Sequence, residues 1–290
     1  MATLLIESVE QMQDWAQRYQ QSNLVVGLVP TMGFLHRGHL SLVEACLEEC
    51  DITVVSIYVN PTQFAPHEDF DQYPRDLEGD RKKLEELGVD VIFAPPSDQM
   101  YPEGYCTYVV PERLSQNLCG KSRPTFFRGV CTVVLKLFSL TRCQYAYFGQ
   151  KDYQQSRIIA QMVKDFHLPI TIRTLPIVRE EDGLAMSSRN AYLSPEQRPA
   201  ALSLYQAIQK AKKMAQEGER VCAKIKAEIA KDIEKFRENT IDYIEFVHSQ
   251  TLQPVEEVDE QTLVALAVFV GKTRLIDNGF LLKESEERDR

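Results

Sequence analysis

The chain is poor in several things that would have fixed its class at once. It has 290 residues with one tryptophan and five histidines, and acidic residues outnumber basic ones to give a formal net charge of −9. That charge argues against broad binding to a nucleic-acid backbone, which is driven by clustered Lys and Arg. No run approaches the 18 or so apolar residues of a membrane-spanning helix. The first residues, Met1 to Glu7, have no basic stretch before the apolar ones, so no secretory signal is expected. The seven cysteines are scattered, odd in number and never spaced Cys-x-x-Cys, which suits a reducing compartment better than a disulfide framework. A soluble cytoplasmic protein is expected. What is present fits that class, with 44% hydrophobic and 26% charged residues in a chain long enough for two domains.

Short apolar runs alternate with helical periodicity through the first two-thirds. Strands are expected over 24–29, 52–59, 89–93, 145–148 and 170–178, and helices near 39–50, 76–87, 129–140 and 152–166. The run from Thr53 to Val59 is almost continuously apolar, as in a parallel strand covered on both faces. Such alternation predicts an α/β fold, a Rossmann-like doubly wound parallel sheet with helices on both sides. After Asn190 the pattern changes. Ser194-Pro195 opens a long helix, and a second over 221–238 offers Val221, Ile225, Ile229, Ile233 and Phe236 as its buried stripe. Strand-like runs follow over 241–248, 263–270 and 274–276. A first domain of residues 1–184 and a smaller C-terminal α+β domain of residues 185–290 are expected, with a charged disordered tail over 283–290.

The chemistry concentrates at strand ends. Val29 to Leu40 holds His36-Arg37-Gly38-His39 between an apolar strand and a periodic helix, punctuated by Pro30 and Gly33. In an open α/β sheet, ligands bind at the carboxyl ends of strands, and a helix N-terminus there favours an anion. Imidazoles at such a place can stabilise charge developing on phosphate oxygens. Zinc would need more ligands than a His-x-x-His pair, and none cluster nearby. Asn60 and Gln63 follow the next strand and offer amides, although an Asn-Pro turn with a surface glutamine is the favoured reading of this segment alone. Tyr147 to Gln155 reads as a third loop, in which Lys151 suits a phosphate and Asp152 either a ribose or a helix N-cap. Met186-Ser187-Ser188-Arg189-Asn190 joins two hydroxyls to a guanidinium, a combination suited to polyphosphate and, at a domain boundary, to a moving lid.

Taken in order, the blocks Pro30–His39, Asn60–Phe64, Tyr73–Arg75, Ser122–Pro124, Phe148–Gln155, Asp182–Asn190 and Thr273–Asp277 resemble the pantothenate synthetases (pantoate–β-alanine ligases) along essentially the whole chain. These are HxGH-type members of the nucleotidylyltransferase superfamily. The resemblance implies ATP-dependent condensation of pantoate with β-alanine through a pantoyl adenylate, with AMP and pyrophosphate released. It implies that His36, His39, Lys151 and Arg189 are catalytic. Met32, His36, His39, Gly149, Lys151, Asp152, Val178, Met186, Ser187, Ser188 and Arg189 would bind ATP. Pro30, Met32, Asn60, Gln63, Phe64 and Gln155 would bind pantoate, with Tyr73 and Arg123 in support. Magnesium would accompany the phosphates, with Asp80 the best protein-side ligand, and the assembly would be a homodimer without nucleic-acid or membrane partners. Two departures stand out. Phe126 occupies a place where the family often has histidine, and Gln150 one where glutamate is frequent. The alternatives are another small-molecule adenylyltransferase and a catalytically altered ATP-binding module.

Overall fold

The computed structural model describes residues 2–20, 22–66 and 68–282, and the expected disordered tail, 283–290, lies outside the described residues. In chain order the first elements are β1 (Leu4–Ile6), α1 (Val9–Gln20), β2 (Val26–Thr31), α2 (Arg37–Glu49), β3 (Ile52–Ile57), α3 (Leu77–Leu87), β4 (Val91–Phe93), α4 (Ser97–Met100) and α5 (Cys119–Ser122). They are followed by α6 (Phe126–Thr141), β5 (Tyr145–Gly149), α7 (Tyr153–Asp165), β6 (Thr171–Leu175), α8 (Arg198–Gln216), α9 (Cys222–Glu234), β7 (Asn239–His248), β8 (Thr262–Val270) and β9 (Thr273–Phe280).

The chain divides into two compact units. Unit 1 comprises Met1–Glu112, Arg123–Gly149 and Ile158–Leu175, and unit 2 comprises Arg113–Ser122, Gln150–Arg157 and Pro176–Arg290. This departs from a single cut at 184/185. Two short stretches within residues 1–184 fold with the second unit. The reason lies in their side chains. The Gln154 amide donates to the carbonyls of Leu114 (2.8 Å) and Asn117 (2.7 Å) and accepts from the Cys119 N–H. Tyr153 donates to the Ser249 carbonyl at 3.2 Å, and Asn117 to that of Leu252 at 3.1 Å. Leu118, Tyr153, Val247, Leu252, Leu263 and Phe280 form one buried cluster around these bonds.

Unit 1 is a six-stranded sheet in the order β1-β4-β3-β2-β5-β6, and every pairing is parallel. Leu28, Val29, Val54, Val55 and Ile92 are all fully buried, as the continuous apolar runs require. Helix α3 begins on Asp76, whose carboxylate accepts from the Gly79 N–H, and stops at Gly88, which takes the left-handed φ of +82° that glycine adopts without strain. Sequence periodicity did not announce β1 or α1. The strand has only three residues, and the helix buries only Met12 and Ala16 among polar neighbours.

Unit 2 lays α8 and α9 on a three-stranded antiparallel sheet, β7-β8-β9. Ile225, Ile229 and Ile233 are completely buried against Leu204, Ile208, Val264 and Leu266, each isoleucine contributing about 1.5–3 kcal/mol of transfer free energy. Two ends of the expected α9 stripe differ. Val221 lies outside the helix and is 38% exposed, while the adjacent Cys222 turns inward; Phe236 falls beyond the helix and is only partly buried. Pro195 initiates a 3-10 turn, Pro195–Gln197, from which α8 proper continues. Among the described residues, no helix is long and apolar enough to cross a membrane.

Candidate active site

In unit 1 the chain winds from β2 through β3 to β4 on one side and from β5 to β6 on the other, so β2 and β5 flank the point where strand order reverses. Crevices at such points are where open α/β sheets bind ligands. The register opens there. Strand β2 pairs with β3 through Thr31, but with β5 only at Gly27 and Leu28. Pro30, which has no N–H to give to a ladder, sits in the part of β2 that β5 has left. Gly149 ends β5, and a side-chain carbon built on it would meet no atom within 4 Å.

The segment leaving β2 is tightly specified. Gly33 and Phe34 both have positive φ, +82° and +51°, and a Cβ on Gly33 would come within 3.2 Å of an Asp80 oxygen. That aspartate is fully buried. Its Oδ2 accepts from the Phe34 N–H at 2.6 Å and its Oδ1 from the Leu35 N–H at 2.7 Å, with the Lys83 ammonium at 3.5 Å. The expectation that Asp80 holds a metal is therefore corrected: its oxygens are sealed from solvent and engaged by backbone amides. Among the described residues, no group of three or more His, Cys, Asp or Glu could hold a metal ion.

The loop delivers His36 as the N-cap of α2, with His39 one turn on. The two imidazoles stack with centroids 3.9 Å apart and planes 23° from parallel, and the backbone N–H of His36 points at His39 Nδ1 (3.4 Å). The first turn of α2 carries no acidic residue, so nothing there competes with an anion for the positive helix end.

A second cluster surrounds Gln63. Its Nε2 donates to the Met32 sulfur at 3.1 Å, and its Oε1 accepts from Asn60 Nδ2 at 3.0 Å. Asn60, only 1% exposed, also donates to the Gly129 carbonyl and accepts from Thr62 and from the Tyr101 hydroxyl at 2.9 Å. Asn60 is thus built to fix Gln63 rather than to reach outward. Tyr101 gives up its proton less readily than an ordinary tyrosine because burial disfavours the phenolate. Gly129 permits this packing, since a Cβ there would lie 2.3 Å from the Thr62 carbonyl oxygen. Arg123 grips Glu68 through two 2.6 Å bonds, donates to the Gln63 carbonyl at 3.0 Å and lies 3.9 Å over the Phe126 ring. Phe64 meets Tyr73 edge-on at 5.9 Å.

Unit 2 carries the remaining candidates. Lys151 and Asp152 lie in a 3-10 turn, Gln150–Asp152, and pair at 3.0 Å, so Asp152 answers Lys151. Gln155 lies on the first turn of α7 and is half-buried. The Met186 N–H bonds to the Val178 carbonyl at 3.0 Å, closing a narrow hairpin from which a 3-10 helix, Ser188–Tyr192, emerges. Ser187 caps it by accepting from the Arg189 N–H, and Ser188 is buried.

The sequence reading missed residues that hold these segments: Arg179, Asp277 and Asn278. Arg179 makes two bonds to the buried Asp277, at 2.7 and 3.0 Å, and donates to the Gly183 carbonyl inside the hairpin. Burial pushes the Asp277 carboxyl above the ordinary range, while Arg179 pulls the other way. The Thr273–Asp277 block signals Asp277, whereas Arg179 and Asn278 fall outside it.

The model of the pantoate–β-alanine ligase family matches residues 4–280. A pantothenate synthetase from Thermotoga petrophila is 52% identical over 277 residues, covering 96% of this chain and 99% of that one. The crystal structure of a pantothenate synthetase from Thermus thermophilus superimposes with a TM-score of 0.92 at 42% identity, covering 97% of this chain and all of that one. A pantoate–β-alanine ligase from Francisella tularensis, solved with β,γ ATP and β-alanine, gives 0.82 at 33% identity over 98% of this chain and all of its own. With its strands, loops and ordered motifs thus matched nearly end to end, this chain belongs to the pantoate–β-alanine ligase family.

Proposed function

We propose that this protein condenses pantoate with β-alanine, using ATP, to form pantothenate. A pantoate carboxylate oxygen attacks the α-phosphorus of ATP and the bond to pyrophosphate breaks, leaving pantoyl adenylate. The β-alanine amine then attacks the acyl carbon, AMP departs with the bonding electrons and the amine loses a proton. No protein nucleophile is required, because the mixed anhydride already carries a good leaving group. Catalysis then rests on alignment and on neutralising charge as it develops.

The observation that carries this assignment is the stacked His36–His39 pair on an acid-free helix N-terminus at the sheet's switch point. We assign His36, His39, Lys151 and Arg189 to the phosphates during displacement, with Ser187 and Ser188 as hydroxyl donors. Gly149 and Asp152 take the ribose, and Val178 and Met186 frame the adenine. Gln63 and Gln155 hold pantoate by its carboxylate and hydroxyls, and Pro30, Met32 and Phe64 supply its apolar wall. Asn60, Tyr73 and Arg123 act by holding Gln63 and Phe64. Magnesium belongs to the same proposal as an ion carried on the nucleotide's phosphates with retained waters, neutralising their charge; Asp80 takes no part in binding it. We place the enzyme in the cytoplasm as a homodimer with only small-molecule substrates. The scattered, odd-numbered cysteines support a reducing compartment.

The test is pantoate-dependent exchange of labelled pyrophosphate into ATP without β-alanine. Exchange is expected, since the first displacement uses no atom of β-alanine. ATP binding without exchange would overturn the assignment.

A further inference from the structure

Residues Asp277 and Asn278 of β9 are both buried, yet both direct their polar atoms at segments that carry the unit 2 candidates. The Asn278 amide is completely engaged. Its Nδ2 donates one hydrogen to the Gln150 carbonyl and the other to the Lys151 carbonyl, each at 2.9 Å. Its Oδ1 accepts from Gln150 Nε2 at 3.4 Å. Two consecutive carbonyls of a 3-10 turn point at one side chain, and only a primary amide offers two hydrogens so spaced beside an acceptor. Aspartate would set an anionic oxygen against both carbonyls. Serine, one bond shorter with a single hydrogen, could satisfy at most one.

We infer that Asn278 is a positioning residue for Lys151: it fixes the backbone on either side of that lysine and thereby the direction in which the ammonium is presented. Asp277 anchors this arrangement, because its carboxylate accepts the Asn278 N–H at 2.8 Å while holding Arg179. One strand therefore secures the Lys151 turn through Asn278 and the Arg179–Gly183 hairpin, which leads into Met186–Arg189, through Asp277. The inference rests on the assignment of Lys151 to the ATP phosphates. It adds that the lysine is ineffective unless its turn is clamped, since small misplacements of a charge-stabilising group are costly to rate.

The experiment is a double-mutant cycle on the full chain, with Asn278→Ala and Lys151→Ala made singly and together. It is read as kcat/KM for ATP in the pantoate-dependent exchange reaction and as nucleotide affinity by calorimetry. Asn278→Ala alone should lose roughly tenfold to a hundredfold. In the Lys151→Ala background the same change should cost less than about twofold, because the group it positions is gone. An equal loss in both backgrounds overturns the inference and marks Asn278 as merely structural. A silent Lys151→Ala would instead remove the underlying assignment, while a damaging Lys151→Ala beside a silent Asn278→Ala overturns only the inference. Should Asn278→Ala not fold, Asn278→Ser is put through the same cycle with the same criteria.

Discussion

The loops carrying His36 and Lys151 are both irregular, and both are held by one buried side chain reaching across the fold, but the chemistry is opposite. Asp80 is an anion that collects two backbone N–H groups; Asn278 is neutral and collects two backbone carbonyls. In the first loop the amides of Phe34 and Leu35 are consumed, so the proposed anion binding would fall to the imidazoles and the N-terminus of α2. In the second, capturing two carbonyls screens their negative ends near the lysine proposed above to meet phosphate. Under the proposed function, the choice of brace is matched to what each loop would offer a polyanion. It also separates how each loop should fail, because an orphaned amide pair in a dry interior costs more than two orphaned carbonyls at a half-buried turn.

Mutations can sharpen or break that contrast. The largest effect is expected at the delivered groups themselves. His36→Ala and Lys151→Ala should each reduce kcat by about a hundredfold or more, equivalent to roughly 3 kcal/mol of charge stabilisation, with melting temperature nearly unchanged. Paired steady-state and thermal-melt measurements check this, and activity within a few-fold of the parent would strike the residue from the catalytic set. Asp80→Ala should show the reverse emphasis. Losing both acceptors for Phe34 and Leu35 should cost about 3 kcal/mol of stability, a fall in melting temperature of roughly 6–12 °C, together with activity. Loss of activity with an unchanged melt and an altered magnesium dependence would return Asp80 to the role of metal ligand. The smallest effect is expected at Phe126. Replacing it with leucine removes the ring beneath Arg123, worth about 0.5–2 kcal/mol, and should raise KM for pantoate less than about thirtyfold without moving that for ATP. A change confined to ATP would separate the Arg123 cluster from the pantoate pocket.

Much of the fold was legible because the sheet is parallel and covered. Strands such as Ile52–Ile57 announce themselves as apolar runs, and the His36–His39 pair falls at a strand end that any βαβ unit would place at the same edge. What stayed hidden has a common physical form. Asp80 reaches Leu35 across 45 residues, and Asn278 reaches Gln150 across 128. A buried polar side chain bonded to distant backbone has no periodicity, and an aspartate in an acidic helical turn looks like a metal ligand until its burial is known. Asn60 was misleading in a milder way, since an amide beside a strand end suggests outward binding while its neighbours Tyr101 and Gly129 are invisible to local pattern. Strand β1 escaped because three residues are too few for any period to register.

The passage of the chain through unit 2 on three separate occasions has a consequence for how the protein is made. Residues 113–122 and 150–157 leave the ribosome long before Ser249, Leu252 and Phe280, the groups that receive them. Until the last hundred residues arrive, Tyr153 and Leu118 have nowhere to bury, and the turn bearing Lys151 has no amide to clamp it. A nascent or truncated chain ending near residue 184 would therefore carry exposed apolar segments at two internal places, an invitation to chaperones and proteases rather than a smaller working domain.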